Sequence, residues 1–403
     1  MKIGIIKEGK TPPDERVPLS PKQCREVLDK FPTINLVVQK SQVRRFSDQE
    51  FEENGIEIVD SIVDCDVLMG VKEVPIIDLI PNKTYFFFSH TIKKQPYNRN
   101  LLKAMLEKNI TMVDYETLTD AKFFRLIGFG FYAGVVGCYN SFYTYGKRTG
   151  TYRIKRAYQC DDRAEIESEL VKVKLPANFK IVITGTGRVS HGAVEILEKL
   201  KLKRISPEEM LNKTFNEPVY AVLDVVDYNE RNDGKDWKME DFFHDPRDYK
   251  STFMRFAKVA NMYIAAHFWD SNAPFIFTKE DAKSSDFNLK FISDISCDVN
   301  GPIASTLRSS TIAKPLYGYN PITESEVAFD AENAITVMAV DNLPCELPKD
   351  ASSGFGRELI DKIFPHLIND KEGVIARATI CKEGKLMPRF EYLKDYVNGE
   401  IMA

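Results

Sequence analysis

The segment FKIVITGTGRVSHGAVEIL, residues 179–197, decides the fold of this chain. Its first half is a continuous apolar run, which is typical of a strand buried on both faces of a parallel sheet. Gly185 and Gly187 follow where the strand should end, and they permit a tight turn and the close approach of a ligand to the backbone. Arg188 and Val189 then open a helix whose positive end attracts phosphate. The spacing therefore predicts a dinucleotide-binding turn.

The fingerprint departs from its usual form at two places. Ser190 stands where the third glycine is expected. The acid that usually binds a ribose hydroxyl about 20 residues further on is not obvious, because the second strand ends at Ser206. Lys203 and Arg204 would suit a 2′-phosphate, whereas Asp224 after the next strand would repel one. The sequence thus predicts NAD or NADP as cofactor, with NAD slightly favoured.

Strand-like and helix-like segments alternate along the whole chain, as in α/β proteins with parallel sheets. The pattern predicts two doubly wound parallel-sheet domains of the Rossmann type with an active-site cleft between them. We expect a substrate and catalytic domain formed by residues 1–137 and 345–403, because the C-terminal helix could return to the first domain. Residues 138–344 would form the dinucleotide-binding domain, with the polar segment 229–253 inserted as a loop or lid.

The composition is that of a soluble globular protein, since 43% of the 403 residues are hydrophobic, 28% are charged and the formal net charge is −4. Without a basic excess, neither nucleic acid nor an anionic membrane is an expected partner, which leaves small molecules. Oligomeric state is left open. Seven cysteines without a CxxC pair argue against disulfides, predict no metal and favour a reducing cytoplasm. The longest nearly apolar run, 129–139, is too short to span a bilayer.

Charged side chains stand where several predicted strands of the first domain end. Arg16 follows the first strand and its loop, Lys72 follows LMGV, His90 and Lys93 follow FFFS, and Glu116 follows MVDY. Because the carboxyl ends of parallel strands face the ligand crevice, we expect these groups to converge. A partly desolvated lysine beside a histidine would have its pKa lowered toward neutrality and could exchange protons with a substrate. An arginine would offer a bidentate fork to a carboxylate.

Longer motifs resemble a known family. KEGKTPPDERVPLSP, GVKEVP, FFFSHTIKKQ and FGFYAGVVG are similar to the N-terminal domain shared by alanine dehydrogenase and the lysine-forming saccharopine dehydrogenases. GTGRVSHGA, ISDISCDVNGPI and AVDNLPCELPKDAS resemble the saccharopine branch, in particular the lysine–2-oxoglutarate reductase half of the bifunctional lysine-degrading enzyme. The resemblance covers nearly the whole chain, whereas the saccharopine-cleaving half of the bifunctional enzyme has no counterpart in it.

The resemblance implies the NAD(P)-dependent interconversion of saccharopine with lysine and 2-oxoglutarate. It implies acid–base catalysis by Lys72 and His90. The substrate-binding residues expected on this basis are Arg16, Lys93, Glu116 and Arg125. The cofactor-binding residues expected on this basis are Gly185, Gly187, Arg188, Val189, Asp224, Asp298 and Asp341.

Two alternatives stay open at this point. An alanine dehydrogenase, or an opine- or imine-forming reductase with another amine partner, would use the same fold and the same acid–base pair. A non-catalytic dinucleotide-sensing module would bind the cofactor without turnover. Lys72 and His90 argue against the sensing module, because a sensor does not need proton exchange.

Overall fold

The computed structural model describes residues 1–399 of the chain, which divides into two compact units. Unit 1 comprises Met1–Phe129 and the chain from Pro348 onward, and unit 2 comprises Gly130–Leu347. The sequence placed the first division at residue 137, inside the apolar helix Gly130–Thr149, which in the structure is one uninterrupted element of unit 2.

The strands belong to two eight-stranded sheets and one two-stranded ribbon. In chain order they are β1 Lys2–Ile5, β2 Asn35–Gln39, β3 Glu57–Val59, β4 Val67–Met69, β5 Thr84–Phe87, β6 Thr111–Asp114, β7 Lys180–Thr184, β8 Lys203–Arg204, β9 Val219–Leu223, β10 Asn229–Arg231, β11 Tyr249–Ser251, β12 Met262–Ala265, β13 Phe291–Asp294, β14 Leu316–Asn320, β15 Ser325–Val327, β16 Ile335–Met338, β17 Thr379–Lys382 and β18 Lys385–Leu386.

The α-helices connect these strands and cover the sheets. In chain order they are α1 Pro21–Lys30, α2 Asp48–Glu53, α3 Arg99–Glu107, α4 Gly130–Thr149, α5 Arg163–Glu169, α6 Arg188–Lys199, α7 Pro207–Asn212, α8 Met239–His244, α9 Met254–Ala257, α10 Lys279–Lys283, α11 Pro348–Lys362, α12 Phe364–Ile368, α13 Val374–Ala378 and α14 Lys394–Asn398. Within residues 1–399, none of them combines the length and the apolar character that crossing a bilayer requires.

The sheet of unit 1 has the strand order β18-β17-β6-β5-β4-β1-β2-β3. Strands β1 to β6 are parallel, and their order is that of a doubly wound Rossmann sheet. Strands β17 and β18 pair antiparallel at one edge, so the sheet is mixed rather than wholly parallel as predicted. Helix α11 belongs to this unit, and its Phe355 and Leu359 are buried in the same core as Leu19 of the first segment.

The sheet of unit 2 has the strand order β15-β14-β16-β13-β12-β7-β9-β8. Six of its strands are parallel, and the antiparallel pair β14 and β15 forms one edge. The predicted Rossmann-type α/β class is therefore confirmed for the chain, with mixed sheets in place of parallel ones. Strand β7 ends in the glycine turn and has β9 on one side and β12 on the other.

Two glycines bring the helices α4 and α6 into backbone contact. A Cβ atom at Gly134 of α4 would overlap the carbonyl oxygen of Val189, and one at Gly192 of α6 would overlap that of Phe131. Both positions are therefore limited to glycine by the neighbouring backbone, which cannot rotate away as a side chain can. This contact fixes the start of α6, the helix that follows the glycine turn.

The segment 229–253 differs from the predicted loop because it has structure of its own. Strands β10 and β11 pair antiparallel within it, and α8 lies between them. The ring of Phe242 lies 5.8 Å from Trp237 and 5.0 Å from Tyr249, measured between centroids. This small aromatic cluster explains how a segment so rich in charge keeps an ordered shape.

Candidate functional site

The residues of the predicted acid–base pair, Lys72 and His90, follow β4 and β5, which are adjacent strands of the unit 1 sheet. The two strands are parallel with Met69 opposite Phe86, and the pairing continues as Phe88 N donates to Val71 O at 3.0 Å. Lys72 and His90 therefore follow adjacent strands at the same edge of the sheet.

His90 is held by a carboxylate that the sequence did not single out as a site residue. Its Nδ1 lies 2.8 Å from Oε1 of Glu73, and Lys10 Nζ donates to the other oxygen at 2.7 Å. Burial opposes ionisation of Glu73, but the hydrogen bonds from His90 and Lys10 outweigh it and lower its pKa to about 2. Glu73 is therefore an anion near neutral pH, and because it binds Nδ1, Nε2 is the ring nitrogen of His90 that this carboxylate leaves unbound.

The backbone of His90 is in the left-handed region, with φ 53° and ψ 13°. A non-glycine residue in this conformation costs of order 1 kcal/mol and persists only where its surroundings hold it. Here the preceding Ser89 donates its N–H to Asp114 at 3.0 Å, and the Phe88 ring stacks at 6.4 Å from the imidazole. The apolar strand thus ends in a constrained turn that aims the imidazole.

Lys72 is supported by Glu8, a residue that the sequence analysis missed. The two carboxyl oxygens of Glu8 accept the backbone N–H groups of Val71 at 2.6 Å and of Lys72 at 2.9 Å. Burial of this carboxyl group, followed by the nearby charge of Asp14, raises the pKa of Glu8 to about 8. The signal that could have found it is the one used elsewhere, an ionisable residue just beyond a buried strand, here β1.

Arg16 is buried, with 3% of its surface exposed, and it lies against an acid. Its Nε and Nη2 donate to the carboxylate of Asp14 at 3.0 and 2.6 Å, and its guanidinium carbon lies 4.2 Å from the Phe129 ring centroid. Burial opposes ionisation of Asp14, but the charges of Arg16 and Lys72 help lower its pKa to about 2. Two of the donors on the predicted carboxylate-binding arginine therefore already bind an internal carboxylate.

Glu116 brings together the other two predicted substrate-binding cations. Its Oε1 lies 3.3 Å from Lys93 Nζ and 3.7 Å from Arg125 Nη1. Both cations are about half exposed, whereas the Glu116 side chain is 11% exposed. The second oxygen of Glu116 is buried and has no hydrogen-bond partner within residues 1–399. This arrangement presents two positive charges to solvent over one buried negative charge, which favours binding of an anion.

The ion pairs of Glu73 predict a loss of stability in acid. A carboxylate whose pKa is lower in the folded than in the unfolded state stabilises the fold above its unfolded pKa, and this contribution is lost as the pH falls through the folded pKa. For Glu73 this contribution is lost over the pH range from 4.5, the ordinary pKa, down to about 2, the pKa in the fold. We expect Glu73→Gln to lower the free energy of unfolding by about 1–3 kcal/mol at pH 7 and by clearly less at pH 3, measured by urea denaturation.

The matched control for this prediction is Glu107→Gln. Glu107 is 64% exposed and pairs with Lys103 at 3.8 Å on the surface, so its replacement should change stability little at either pH. An equal loss of stability at pH 7 and pH 3 in the Glu73 variant would contradict the assigned charge.

The glycine turn of unit 2 borders a cavity of about 630 Å³, which we call the glycine-turn cavity. Gly185 has φ +99°, and a Cβ there would lie 2.7 Å from the carbonyl oxygen of Ala266, so only glycine fits. At Gly187, which caps the N-terminus of α6, a Cβ would meet no atom of the described chain within 4 Å. The predicted cofactor-binding residues that line this cavity are Gly185, Gly187, Arg188, Val189, Asp224 and Asp298.

The remaining predicted residue, Asp341, is exposed and is not part of the cavity lining.

The glycine turn and the N-terminus of α6 fit a dinucleotide. Helix α6 begins at Arg188, so its first backbone N–H groups have no acceptor within the helix and can bind a diphosphate.

The strand order corrects which residue lies at the ribose-reading position. Ser206 was predicted to end the second strand and to occupy that position, but it caps α7 after β8 has ended. The neighbour of β7 is β9, and β8 is a two-residue edge strand beyond it. Asp224, directly after β9, therefore lies beside the glycine turn, and it lines the cavity. Lys203 and Arg204 are exposed on the edge strand and are not part of that lining.

The segment 229–253 forms one wall of the glycine-turn cavity. Phe242, Phe243, His244 and Pro246 all line it, and Phe243 is 66% exposed. The predicted loop or lid is thus a structured wall with aromatic side chains at its surface. Aromatic rings of this kind can stack on the flat rings of a nucleotide.

Comparison with known proteins supports the resemblance seen in the motifs. Residues 4–136 match the family described as "Alanine dehydrogenase/PNT, N-terminal domain". Over 437 residues the chain is 28% identical to "Alpha-aminoadipic semialdehyde synthase" of Arabidopsis thaliana, covering 97% of this chain and 41% of that protein. It is 23% identical to "Saccharopine dehydrogenase (NAD(+), L-lysine-forming)" of Neurospora crassa over 87% of each chain. The predicted resemblance is therefore confirmed.

Solved structures support the fold. The chain superposes on "L-alanine dehydrogenase" with a TM-score of 0.65 and 16% identity, covering 98% of this chain and 100% of that one. It superposes on the transhydrogenase from Sinorhizobium meliloti with a TM-score of 0.61 and 14% identity, covering 96% and 100%. The chain spans less than half of the curated semialdehyde synthases that it matches, with 46% of the mouse protein covered.

Proposed function

We propose that this chain, similar over residues 4–136 to the alanine dehydrogenase/PNT N-terminal domain, is an NAD(P)-dependent oxidoreductase that interconverts saccharopine with L-lysine and 2-oxoglutarate. The relatives named saccharopine dehydrogenase support this substrate assignment. The observation that carries the proposal is the adjacent placement of Lys72 and the Glu73-bound His90 at two parallel strand tips. A pair of proton-exchanging groups is what formation of an imine requires.

The proposed reaction joins an amine to a ketone and reduces the product. The ε-amine of lysine attacks the 2-oxo carbon of 2-oxoglutarate, water leaves to form the imine, and reduction gives saccharopine. A bound reduced nicotinamide supplies the hydride. His90 takes a proton from the attacking amine, and Lys72 gives one to the departing hydroxyl; the roles reverse in the oxidative direction. Glu73 holds the imidazole for both steps, at 2.8 Å from Nδ1.

The cations of unit 1 suit a substrate that carries several carboxylates. We assign Lys93 and Arg125 to one carboxylate, because both are half exposed beside the buried Glu116. Arg16 is assigned to another, and Asp14 holds its guanidinium in a single orientation through two hydrogen bonds. An oriented guanidinium loses little conformational entropy on binding, which favours a fixed substrate position.

We further propose that the cofactor is NAD rather than NADP. Asp224 lies where a carboxylate can accept the ribose hydroxyls of NAD, and its charge would repel a 2′-phosphate. Asp224→Ser should weaken NADH binding about tenfold while NADPH binding improves or stays unchanged. The measurement is the ratio of the two dissociation constants, from the fluorescence of the bound reduced cofactor.

Lys203→Ser is the control for this prediction, because Lys203 is exposed on the edge strand β8 and its replacement should leave the ratio unchanged. Tighter binding of NADPH than NADH by the unmodified protein, together with no response to Asp224→Ser, would contradict the assignment.

The test of the proposed function is an absorbance assay of the reduced cofactor with paired substrates. Lysine with 2-oxoglutarate should oxidise NADH, and saccharopine with NAD should reduce it. Ammonia with pyruvate should give no reaction. Turnover with ammonia and pyruvate would instead identify an alanine dehydrogenase, and cofactor binding without turnover on any amine and oxo-acid pair would identify a sensing module.

A further inference from the structure

His267 is a buried histidine that lines the glycine-turn cavity. It follows β12, the neighbour of β7, and lies against the glycine turn, since a Cβ at Gly185 would be 2.8 Å from its Cα. The residue is 8% exposed and lines the cavity. His267 thus lies on the opposite side of the turn from Asp224.

A chain of hydrogen bonds determines which nitrogen of His267 carries a proton. The Thr184 hydroxyl oxygen lies 2.8 Å from the Tyr263 hydroxyl and 2.8 Å from His267 Nδ1. Tyr263 is fully buried, and Thr184 is the hydrogen-bond partner of its hydroxyl within residues 1–399. If Thr184 donated to Tyr263, the tyrosine proton would be buried without an acceptor, which is unfavourable. Tyr263 therefore donates to Thr184. The Thr184 hydroxyl has no partner besides Tyr263 and His267 within residues 1–399, so its own proton finds an acceptor only at Nδ1, and Thr184 donates to Nδ1.

This direction places the single proton of a neutral imidazole on Nε2. Burial lowers the pKa of His267 to about 4, so the ring is neutral near pH 7. Nε2 is itself buried and has no hydrogen-bond partner in the described part of the chain. His267 lines the glycine-turn cavity, and its Nε2–H is an oriented donor without an acceptor in the described part of the chain, a condition that a ligand oxygen would relieve.

We propose that His267 binds the cofactor by donating its Nε2–H to an oxygen of the diphosphate or of the ribose beyond it in a nicotinamide dinucleotide. The inference rests on the proposed function, in which Asp224 on the β9 side holds the adenosine ribose and the start of α6 holds the diphosphate. A dinucleotide that crosses the tip of β7 from the β9 side reaches the β12 side with its diphosphate and second ribose. His267 is a binding residue in this role and takes no part in proton exchange with the substrate.

The test measures dissociation constants of the full chain for NADH, ADP-ribose and AMP. His267→Leu removes the donor, and we expect binding of NADH and ADP-ribose to weaken about tenfold. AMP lacks the diphosphate and the second ribose, so its binding should change less than twofold. His267→Gln places an amide N–H near the position of Nε2 and should recover most of the affinity. ADP as a fourth ligand distinguishes the two candidate oxygens. His267→Leu should bind ADP more weakly if the contact is to the diphosphate, and with unchanged affinity if the contact is to the second ribose, which ADP lacks.

Thr184→Val tests the hydrogen-bond chain without altering the histidine. The valine cannot donate to Nδ1, so the proton is no longer confined to Nε2, and a smaller loss of affinity for ADP-ribose is expected. His366→Leu, in unit 1, controls for the loss of a histidine elsewhere and should bind as the unmodified protein does. Thermal unfolding of each variant separates loss of the fold from loss of binding.

Two results would overturn the inference. One is unchanged affinity of a folded His267→Leu variant for ADP-ribose, and the other is an equal loss of affinity for AMP and ADP-ribose. Failure of the unmodified protein to bind NADH or NADPH would instead reject the proposed function itself, so the two failures are distinguishable.

Discussion

Lys72→Met is expected to lower turnover of lysine, 2-oxoglutarate and NADH by about 10²–10⁴-fold while the dissociation constant for NADH stays within a factor of two. Methionine keeps most of the unbranched side chain but lacks the amine, so it cannot carry a proton. The backbone N–H of Lys72 would still donate to Glu8, because that bond at 2.9 Å does not involve the side chain. The expected loss is therefore one of proton exchange and not of local structure.

Two further variants sharpen this prediction. Lys72→Arg keeps the positive charge, but a guanidinium does not give up its proton near pH 7, so turnover should stay low. Lys103→Met removes an exposed lysine that pairs with Glu107 on α3 and should leave turnover unchanged. Activity of Lys72→Met within tenfold of the unmodified protein would reject Lys72 as the proton donor.

Gly192→Ala is expected to lower stability and Gly187→Ala to weaken cofactor binding, although the two residues are five positions apart in one turn and helix. A methyl group at Gly192 would overlap the carbonyl oxygen of Phe131 on α4, and backbone cannot move aside. We expect the free energy of unfolding to fall by about 3–5 kcal/mol, measured by denaturant titration.

At Gly187 the added methyl meets no atom of the described chain within 4 Å, and φ −88° suits alanine. The fold should therefore be unaffected. The methyl group would occupy the space through which a diphosphate reaches the first amides of α6, and losing one such hydrogen bond to a charged group costs about 1.5–3 kcal/mol. We expect NADH to bind at least about tenfold more weakly, with an unchanged unfolding midpoint.

A stable Gly192→Ala protein would contradict the backbone contact between α4 and α6. Full NADH affinity in Gly187→Ala would contradict the place assigned to the diphosphate. Ligand titration and denaturation on the same two variants therefore separate the structural use of glycine in this turn from its use in binding.

The parallel strands and the glycine turn were predictable because each depends on a local pattern. A continuous apolar run such as Lys180–Thr184 and a glycine after it carry their signal within a few residues. That Lys72 and His90 lie at the same edge of the sheet was also predictable. Parallel strands all have their carboxyl ends at one edge, whatever the order of the strands.

Other features depend on which strands become neighbours, and no local pattern carries that information. Asp224 lies at the ribose-reading position because β9, not β8, pairs with β7. Glu73 meets His90 and Thr184 meets His267 only after the sheets form, at sequence separations of 17 and 83 residues. The antiparallel pairing of β17 with β6 joins strands that are far apart in the sequence, and it was missed for the same reason.

That last pairing has a consequence for biosynthesis. Unit 2 is one continuous stretch of chain, so it can fold before the residues that follow it have been synthesised. Unit 1 cannot complete its sheet until the strands after Pro348 have been synthesised. Until Thr379–Lys382 has been synthesised and pairs with it, Thr111–Asp114 is an edge strand with unpaired N–H and C=O groups. The nascent protein therefore passes through an interval in which the segment made first, Met1–Phe129, has an unpaired sheet edge.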